Sequence, residues 1–164
     1  MIEYYERNNR KFESEWLRKP FIPPRELTIQ SSGVCFTKDH KIVLVRHGNG
    51  WLLPGGYPEN NETIEDALIR EIDEEACAKV IDFEYLGSIE SFELSPVKEG
   101  DLSLFYQARY WALIEEYDFI QKFEIVERIQ IVPGQFVEML RWPAKRLAKL
   151  ILDDALLVDK KKSK

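Results

Sequence analysis

Short runs of apolar and β-branched residues follow one another along the middle of the chain, and these runs predict strands. The polar turn Lys38-Asp39-His40 separates the first two runs, which predicts a β-hairpin. A loop that contains Pro96 and Gly100 separates the two longest runs. The predicted strands are residues 27–37, 41–46, 51–54, 81–92, 102–115 and 124–132.

The N-terminal end of the chain has a different pattern. Residues 1–19 predict a charged helix, because Tyr5, Phe12 and Trp16 fall along one side of it, and a cluster of prolines then ends it. We therefore expect residues 1–25 to form a helical extension. It would pack either on its own domain or on a second copy of the chain, so a homodimer is left open.

A second helical period lies in the centre of the chain. Leu68, Ile72 and Ala76 recur every four residues, which predicts the buried stripe of a helix that begins at residue 62 or 63. Thr63 together with Asp66 predicts the N-terminal cap of this helix.

The C-terminal end adds two more helical segments, at residues 133–140 and from Pro143 onward. The lysine-rich residues 159–164 predict a disordered and solvated tail. Because strands alternate with helices, the fold class is α/β, with helices packed on a mixed sheet. We expect one domain over residues 26–158.

Composition narrows the class of protein. The chain has 164 residues, a formal net charge of −6 and a sequence pI near 5.1, which argues against a protein that binds nucleic acid through its phosphates. The two cysteines, Cys35 and Cys77, predict free thiols in a reducing compartment, since no secretory leader is evident. No apolar run reaches the length of a membrane span. We therefore expect a cytoplasmic protein that has no membrane partner.

The central helix is crowded with acidic residues. Glu71, Glu74 and Glu75 have the spacing that places side chains on one helical face, where like charges repel each other. A hard divalent cation such as Mg²⁺ prefers oxygen ligands and would relieve this repulsion. These three glutamates are therefore candidate metal ligands. The alternative is a solvated acidic face that has only a structural role and no affinity for metal.

The residues from Gly55 to Ala78 resemble the motif of the Nudix hydrolases, G-x5-E-x7-R-E-U-x-E-E-x-G-U, where U is a bulky apolar residue. The positions that match are Gly56, Glu62, Arg70, Glu71, Ile72, Glu74 and Glu75. Cys77 stands where the family has its second glycine, and Ala78 is a small version of the last apolar residue. That glycine normally ends the helix in a left-handed conformation. Cys77 therefore predicts that the helix continues toward Lys79 or ends differently.

The resemblance implies a Nudix-like α/β/α sandwich and a Nudix pyrophosphohydrolase, an acid anhydride hydrolase. Its substrate would be a nucleotide-derived small molecule, a nucleoside diphosphate linked to another group X, such as a nucleotide sugar. The cofactor would be Mg²⁺, with Mn²⁺ as an alternative. Glu71, Glu74 and Glu75 would hold the metal. Arg70 would orient the carboxylates through a salt bridge to Glu62, and each of the glutamates remains a candidate general base.

Residues beside the motif complete the candidate site. The corner formed by Gly55 and Gly56 lets a phosphate approach the backbone closely, and Arg46 could steer a polyphosphate. A further acidic ligand would come from Glu115, Glu116, Glu124 or Glu127, although an ordinary surface charge is the alternative for each. A different class of function also stays open: a Nudix-fold domain that binds a nucleotide metabolite as a regulator, with little or no turnover.

Overall fold

The computed structural model describes residues 1–164 and contains one nine-stranded mixed sheet. The strands run in the order β1-β2-β7-β8-β3-β4-β5, while β6 pairs with β3 and β9 pairs with β4. The strands are β1 Ile2–Arg7, β2 Arg10–Arg18, β3 Thr28–Phe36, β4 Ile42–His47, β5 Gly50–Leu52, β6 Gly55–Gly56, β7 Ala78–Glu93, β8 Leu104–Glu116 and β9 Ile125–Ile131. The helices are α1 Ile64–Ala76, α2 Phe136–Met139 and α3 Lys145–Lys162.

Two apolar layers cover the two faces of this sheet. On one face α1 buries Leu68, Ile72 and Ala76 against β3, β4 and β8, and on the other face α2 and α3 pack on a larger core that includes Trp16 and Trp111. The parallel pairing of β3 with β8 lies at the centre, and the remaining pairings are antiparallel. The predicted α/β/α sandwich around a mixed sheet is confirmed.

The predicted N-terminal helix is wrong. Residues 2–18 form a hairpin, β1 with β2, and β2 continues the main sheet by pairing with β7. Asn8 and Asn9 both have positive φ angles at the turn, which is the backbone that a two-residue hairpin requires. Phe12, Ser14 and Trp16 are buried, and the residues between them are more exposed, which is the period of two that a strand has. Phe12 and Trp16 alone are four residues apart, so the aromatic residues by themselves resemble the spacing of a helix.

The predicted disordered tail is also wrong over most of its length. Helix α3 continues to Lys162, and the Asp159 side chain is buried. Asp159 accepts hydrogen bonds from the indole Nε1 of Trp111 at 3.1 Å and pairs with Nδ1 of His40 at 2.6 Å. These contacts tie the end of the helix to the sheet. None of the helices has the length and apolar character that a membrane crossing requires.

Most of the remaining elements lie where the pattern predicts them, within a few residues. The hairpin β3–β4, the strands β7 to β9 and the capped start of α1 are all present. At that cap the backbone N–H of Asp66 donates to Oγ1 of Thr63 at 3.0 Å. The Gly55–Gly56 corner lies farther along the same helix, against the side chains of Glu71 and Glu75.

Candidate active site

The glycine corner brings the backbone against the acidic helix. Gly55 and Gly56 pair with Ser32 and Ser31 of β3, which fixes the corner on the sheet. A Cβ at Gly56 would lie 2.5 Å from the carboxyl carbon of Glu71. Glycine is required here because only a bare backbone leaves room for that carboxylate.

Arg70 organises the carboxylates of the motif. Its Nε and Nη2 donate to the two carboxylate oxygens of Glu62 at 2.8 and 3.0 Å. Its Nη1 donates to Glu71 at 2.8 Å and to Glu74 at 3.3 Å. The hydrogen bonds from Arg70 lower the pKa of Glu62 to about 2. The fork-shaped guanidinium therefore fixes the positions of three acidic side chains at once.

Glu75 has no basic partner, unlike its neighbours. Its carboxylate accepts a hydrogen bond from the backbone N–H of Gly55 at 3.0 Å. Burial raises the pKa of Glu75 to about 7, against the lowering effect of that hydrogen bond, and the charges of Glu71 and Glu74 raise it further. Burial also raises the pKa of Glu71, although Arg70 opposes this shift. Glu75 is therefore charged at neutral pH only in part, and a bound cation would favour its ionised form.

A cavity of about 250 Å³, which we call the acidic cleft, opens beside these groups. Its lining is Glu71, Glu74, Glu75, Glu124, His47, Phe123 and Ile125. His47, which the sequence places only next to a turn, faces the cleft and its Nε2 pairs with Glu124 at 2.6 Å. Four carboxylates thus meet in one space that has no arginine or lysine in its lining.

Of the four candidates for a further acidic ligand, the structure brings only Glu124 into the acidic cleft. Glu116 forms a salt bridge with Arg128 at 2.7 Å, and Glu127 accepts from Arg46 at 2.8 Å. Glu115 lies on the surface, 3.5 Å from the ammonium of Lys38. These three side chains form ordinary ion pairs outside the acidic cleft.

Arg46, the predicted substrate-binding arginine, forms contacts outside both cavities of the candidate site. Its Nε donates to Glu127, its Nη1 donates to the carbonyl of Gly48 at 3.1 Å, and its guanidinium lies over the ring of Trp51. It lines neither the acidic cleft nor the second pocket described below. The pairing of β4 with β9 explains this, because it sets Arg46 directly opposite Glu127.

The donors present suit a hard divalent cation, although no three acidic, histidine or cysteine side chains form a ready metal cage. Arg70 engages Glu71 and Glu74, whereas Glu75 and Glu124 have no arginine or lysine partner. Mg²⁺ commonly uses one or two carboxylates together with waters and substrate phosphates. The carboxylates of the acidic cleft fit that requirement.

The helix ends at Ala76, and Cys77 adopts the left-handed conformation, with φ 49° and ψ 56°. The predicted continuation toward Lys79 is therefore wrong. Arg128 explains how a residue with a Cβ is accommodated, because its Nη1 donates to the carbonyls of Ala76, Cys77 and Tyr117 at 2.8 to 3.1 Å. A long-range arginine satisfies carbonyls that the end of a helix leaves without partners.

A second cavity, which we call the sheet pocket, joins the acidic cleft. It has a volume of about 210 Å³ and shares Glu75, His47 and Ile125 with the cleft. Its polar lining comes from β3 and β8, and its walls come from the N-terminal hairpin and from α2 and α3. The main polar residues are Gln30, Ser32, Gln107 and Arg109. Sequence motifs did not indicate this pocket, because its residues are scattered over the whole chain.

Comparison with known proteins agrees with this geometry. The profile of the NUDIX domain matches residues 28–146. The fold is similar to that of the Bacillus subtilis pyrophosphohydrolase BsRppH, with 21% identity, a TM-score of 0.66, and coverage of 98% of this chain and 97% of that one.

Two other solved structures are similar at lower coverage. The NUDIX domain of Shewanella oneidensis NrtR, solved with ADP ribose, has 21% identity and a TM-score of 0.59 over 84% of this chain and 93% of that one. A MutT protein from Bacillus halodurans has 22% identity and a TM-score of 0.59 over 75% and 80%. The family and the fold that the motif predicted are therefore confirmed: the chain belongs to the NUDIX family and is a Nudix hydrolase.

Proposed function

We propose that this protein hydrolyses a pyrophosphate bond in a nucleoside diphosphate linked to another group, in a reaction that depends on Mg²⁺ or Mn²⁺. The observation that carries the proposal is the acidic cleft, where four carboxylates meet without an arginine or lysine in the lining. A chain of phosphates cannot enter such a field unless cations accompany it. The sheet pocket next to it provides space for the rest of the substrate.

The residues of the motif divide the work. Glu71, Glu74 and Glu75 would hold the metal, which when bound neutralises phosphoryl oxygens and lowers the pKa of a water. Arg70 holds the carboxylates of Glu62, Glu71 and Glu74 in place. Gly55 and Gly56 keep the backbone open beside them. Water then attacks phosphorus, and the oxygen that bridges the two phosphorus atoms leaves with the electron pair of the broken bond.

The similar structures support nucleotide-derived substrates. BsRppH is named a pyrophosphohydrolase, and the NrtR domain was solved with ADP ribose. We expect a substrate from the same broad class, and we therefore choose a panel that spans it. The panel contains ADP-ribose, nucleoside triphosphates, diadenosine polyphosphates and nucleotide sugars.

The test measures hydrolysis of this panel with Mg²⁺, with Mn²⁺ and with a chelator. At least one compound should turn over, and the chelator should abolish its hydrolysis. Glu74→Gln and Glu75→Gln should each lower kcat/KM at least about a hundredfold, since each removes a charge from the acidic cleft. Glu115→Gln is the matched control, because Glu115 lies on the surface beside Lys38. Unchanged turnover in both cleft variants would contradict the proposal.

A regulatory nucleotide-binding domain is the second candidate function. It is favoured by the hydrogen bonds from Arg70, which already engage Glu71 and Glu74, two of the three proposed metal ligands. In that case the protein would bind a nucleotide tightly without hydrolysing any compound of the panel, whichever metal is added. Titration calorimetry on the same compounds separates this outcome from catalysis.

A further inference from the structure

Arg109 is a buried cation that has no partner of opposite charge. Its side chain lies in the sheet pocket and the residue is 7% exposed. Its Nη1 donates to the carbonyl of Ala108 at 3.1 Å, and its Nε has no hydrogen-bond partner. Buried charges in proteins are normally paired, because an unpaired one loses its hydration without compensation. Arg109 therefore has one backbone acceptor but no counter-ion, and its Nε lacks an acceptor.

Burial lowers the pKa of Arg109 to about 10, and no carboxylate raises it again. The guanidinium therefore remains charged at neutral pH and keeps its N–H donors. The other charged residues of the pocket do not neutralise it, since Arg7 has the same sign and Glu75 forms no salt bridge. An acceptor for Arg109 has to come from outside the chain.

The neighbours of Arg109 add polar groups of both kinds. Gln107 lies two residues away on the same face of β8 and donates from Nε2 to Oε1 of Gln30 at 3.1 Å. This leaves the Nε2 of Gln30 as a donor and the Oε1 of Gln107 as an acceptor within the pocket. The rings of Tyr5, Phe12 and Phe105 form an apolar wall, in which Tyr5 and Phe12 stack at 5.5 Å. Flat apolar walls with mixed donors and acceptors suit a heteroaromatic ring.

The pocket also has the right position relative to the acidic cleft. Ser32 pairs with Gly55 on one side and with Arg109 on the other, so the three residues lie in a row across the sheet. Adjacent strands are about 4.8 Å apart, which places Arg109 roughly 10 Å from the glycine corner. That span is comparable to a nucleoside between its base and its phosphates.

We propose that the sheet pocket holds the base of the nucleotide substrate, and that Arg109 selects a purine that carries an oxygen at C6 over adenine. This inference rests on the proposed function for the identity of the substrate as a nucleotide. Guanine and hypoxanthine present two adjacent acceptors, O6 and N7, which match the paired N–H groups of an arginine fork. Adenine presents one acceptor and one N–H donor at the same edge, so one donor of Arg109 would face another donor.

A carboxylate or phosphate would fit the sheet pocket less well than a purine base. A carboxylate or phosphate offers acceptors alone, and it would leave Oε1 of Gln107 facing negative charge. It would also have to lose its hydration against the aromatic wall. A neutral purine supplies the acceptors for Arg109 while its faces remain against the rings.

The test measures equilibrium binding of GMP, IMP and AMP in the presence of Mg²⁺ by the quenching of tryptophan fluorescence, since Trp142 lines the pocket. GMP and IMP should bind roughly 5- to 150-fold more tightly than AMP. In Arg109→Gln the preference should shrink or move toward AMP, because an amide offers one donor and one acceptor to adenine. Arg141→Gln, the same change at an exposed position outside the pocket, should keep the preference of the native protein.

Equal binding of GMP and AMP to the native protein would overturn the inference. So would an equal loss of both in Arg109→Gln, or inorganic phosphate and acetate that compete as well as GMP does. If Arg109→Gln does not fold, judged by its melting curve, Arg109→Lys keeps the charge without the fork and should also lose the preference. Monophosphates have no pyrophosphate bond, so their binding is measured apart from hydrolysis. Binding can therefore fail while the cleft still catalyses hydrolysis, and the reverse, so the two proposals fail separately.

Discussion

The acidic cleft and the sheet pocket share Glu75, His47 and Ile125, yet their chemistry is opposite. The cleft contains four carboxylates, and Arg70, which does not line it, donates hydrogen bonds to two of them, Glu71 and Glu74. The pocket is mostly apolar, and its buried charge is a single arginine that no acid neutralises. One cavity has negative charge that needs a cation, and the other has donors that need an acceptor.

This difference indicates how the two cavities divide recognition. A site that handles phosphates through metal ions can be built from carboxylates on one helix, so it says little about the rest of the substrate. A site that reads a base needs a few polar groups placed on a rigid, apolar surface. The protein has both, side by side, with Glu75 at their junction.

The largest expected effect is a loss of catalysis in the acidic cleft that leaves binding in the sheet pocket unchanged. In Gly56→Ala the new methyl group would lie 2.5 Å from the Glu71 carboxyl group, which is the movable end of a side chain. The fold should therefore survive while the carboxylate shifts. Displacement of a catalytic group by about 1 Å costs roughly a hundredfold in rate, so kcat/KM on the best substrate should fall by about that factor.

Gly134→Ala is the matched control for this variant. A Cβ at Gly134 would have no atom within 4 Å, and the residue lies far from the cleft in the chain. Its kcat/KM should equal that of the native protein. If Gly56→Ala retains full activity, or loses GMP binding as severely as turnover, the separation of the two cavities is wrong.

The same separation explains what the sequence could and could not predict. The cleft could be predicted because glycine, arginine and glutamates stand on one loop and one helix, whose periodicity brings them together. The pocket could not, since Gln30, Gln107 and Arg109 meet only through the parallel pairing of β3 with β8. Its outer wall comes from the N-terminal hairpin, which the aromatic spacing of Phe12 and Trp16 wrongly predicted as a helix.

The end of α1 is a second place where the sequence alone did not predict the structure. The sequence shows that Cys77 replaces a glycine, but it does not show that Arg128, some fifty residues later, reaches the carbonyls there. A local rule about helix ends predicted a longer helix. The long-range contact adds hydrogen bonds at this helix end, because Arg128 donates to the carbonyls of Ala76 and Cys77.

Arg128→Gln tests how much the contacts at the end of α1 contribute to the stability of the protein. The change removes the donor to the carbonyls of Ala76 and Cys77 and leaves Glu116 without its cation. Since these groups are largely shielded from water, the free energy of unfolding should fall by about 2 kcal/mol. Urea denaturation measures this loss. Because the end of α1 carries Glu75, turnover should also become more sensitive to heat.

Arg18→Gln provides the comparison for that loss. Arg18 also pairs with an acid, Asp154 at 2.7 Å, but its side chain is 53% exposed. An exposed pair contributes about 0.5 kcal/mol, so this variant should be much less affected than Arg128→Gln. Equal losses in the two variants would contradict the role of Arg128 at the helix end.

The smallest expected effect concerns the wall of the sheet pocket and depends on pH. Glu93 on β7 accepts from Nε of Arg10 at 2.9 Å, and this hydrogen bond lowers the pKa of Glu93 to about 2. A carboxyl group whose pKa is lowered on folding stabilises the protein above its ordinary pKa of about 4.5. That contribution is lost as the pH falls toward 2.

Glu93→Gln should therefore unfold more easily than the native protein at pH 7, by about 1 kcal/mol, because Arg10 is half exposed to water and screened. The difference should shrink between pH 4.5 and pH 2 as Glu93 of the native protein takes up its proton. Glu99→Gln, an exposed change in the following loop, should show no such dependence. Urea unfolding at several pH values measures all three proteins. A difference that stays constant down to pH 2 would mean that the charge of Glu93 does not anchor the hairpin, and that packing of Tyr5 and Phe12 alone holds the wall of the pocket.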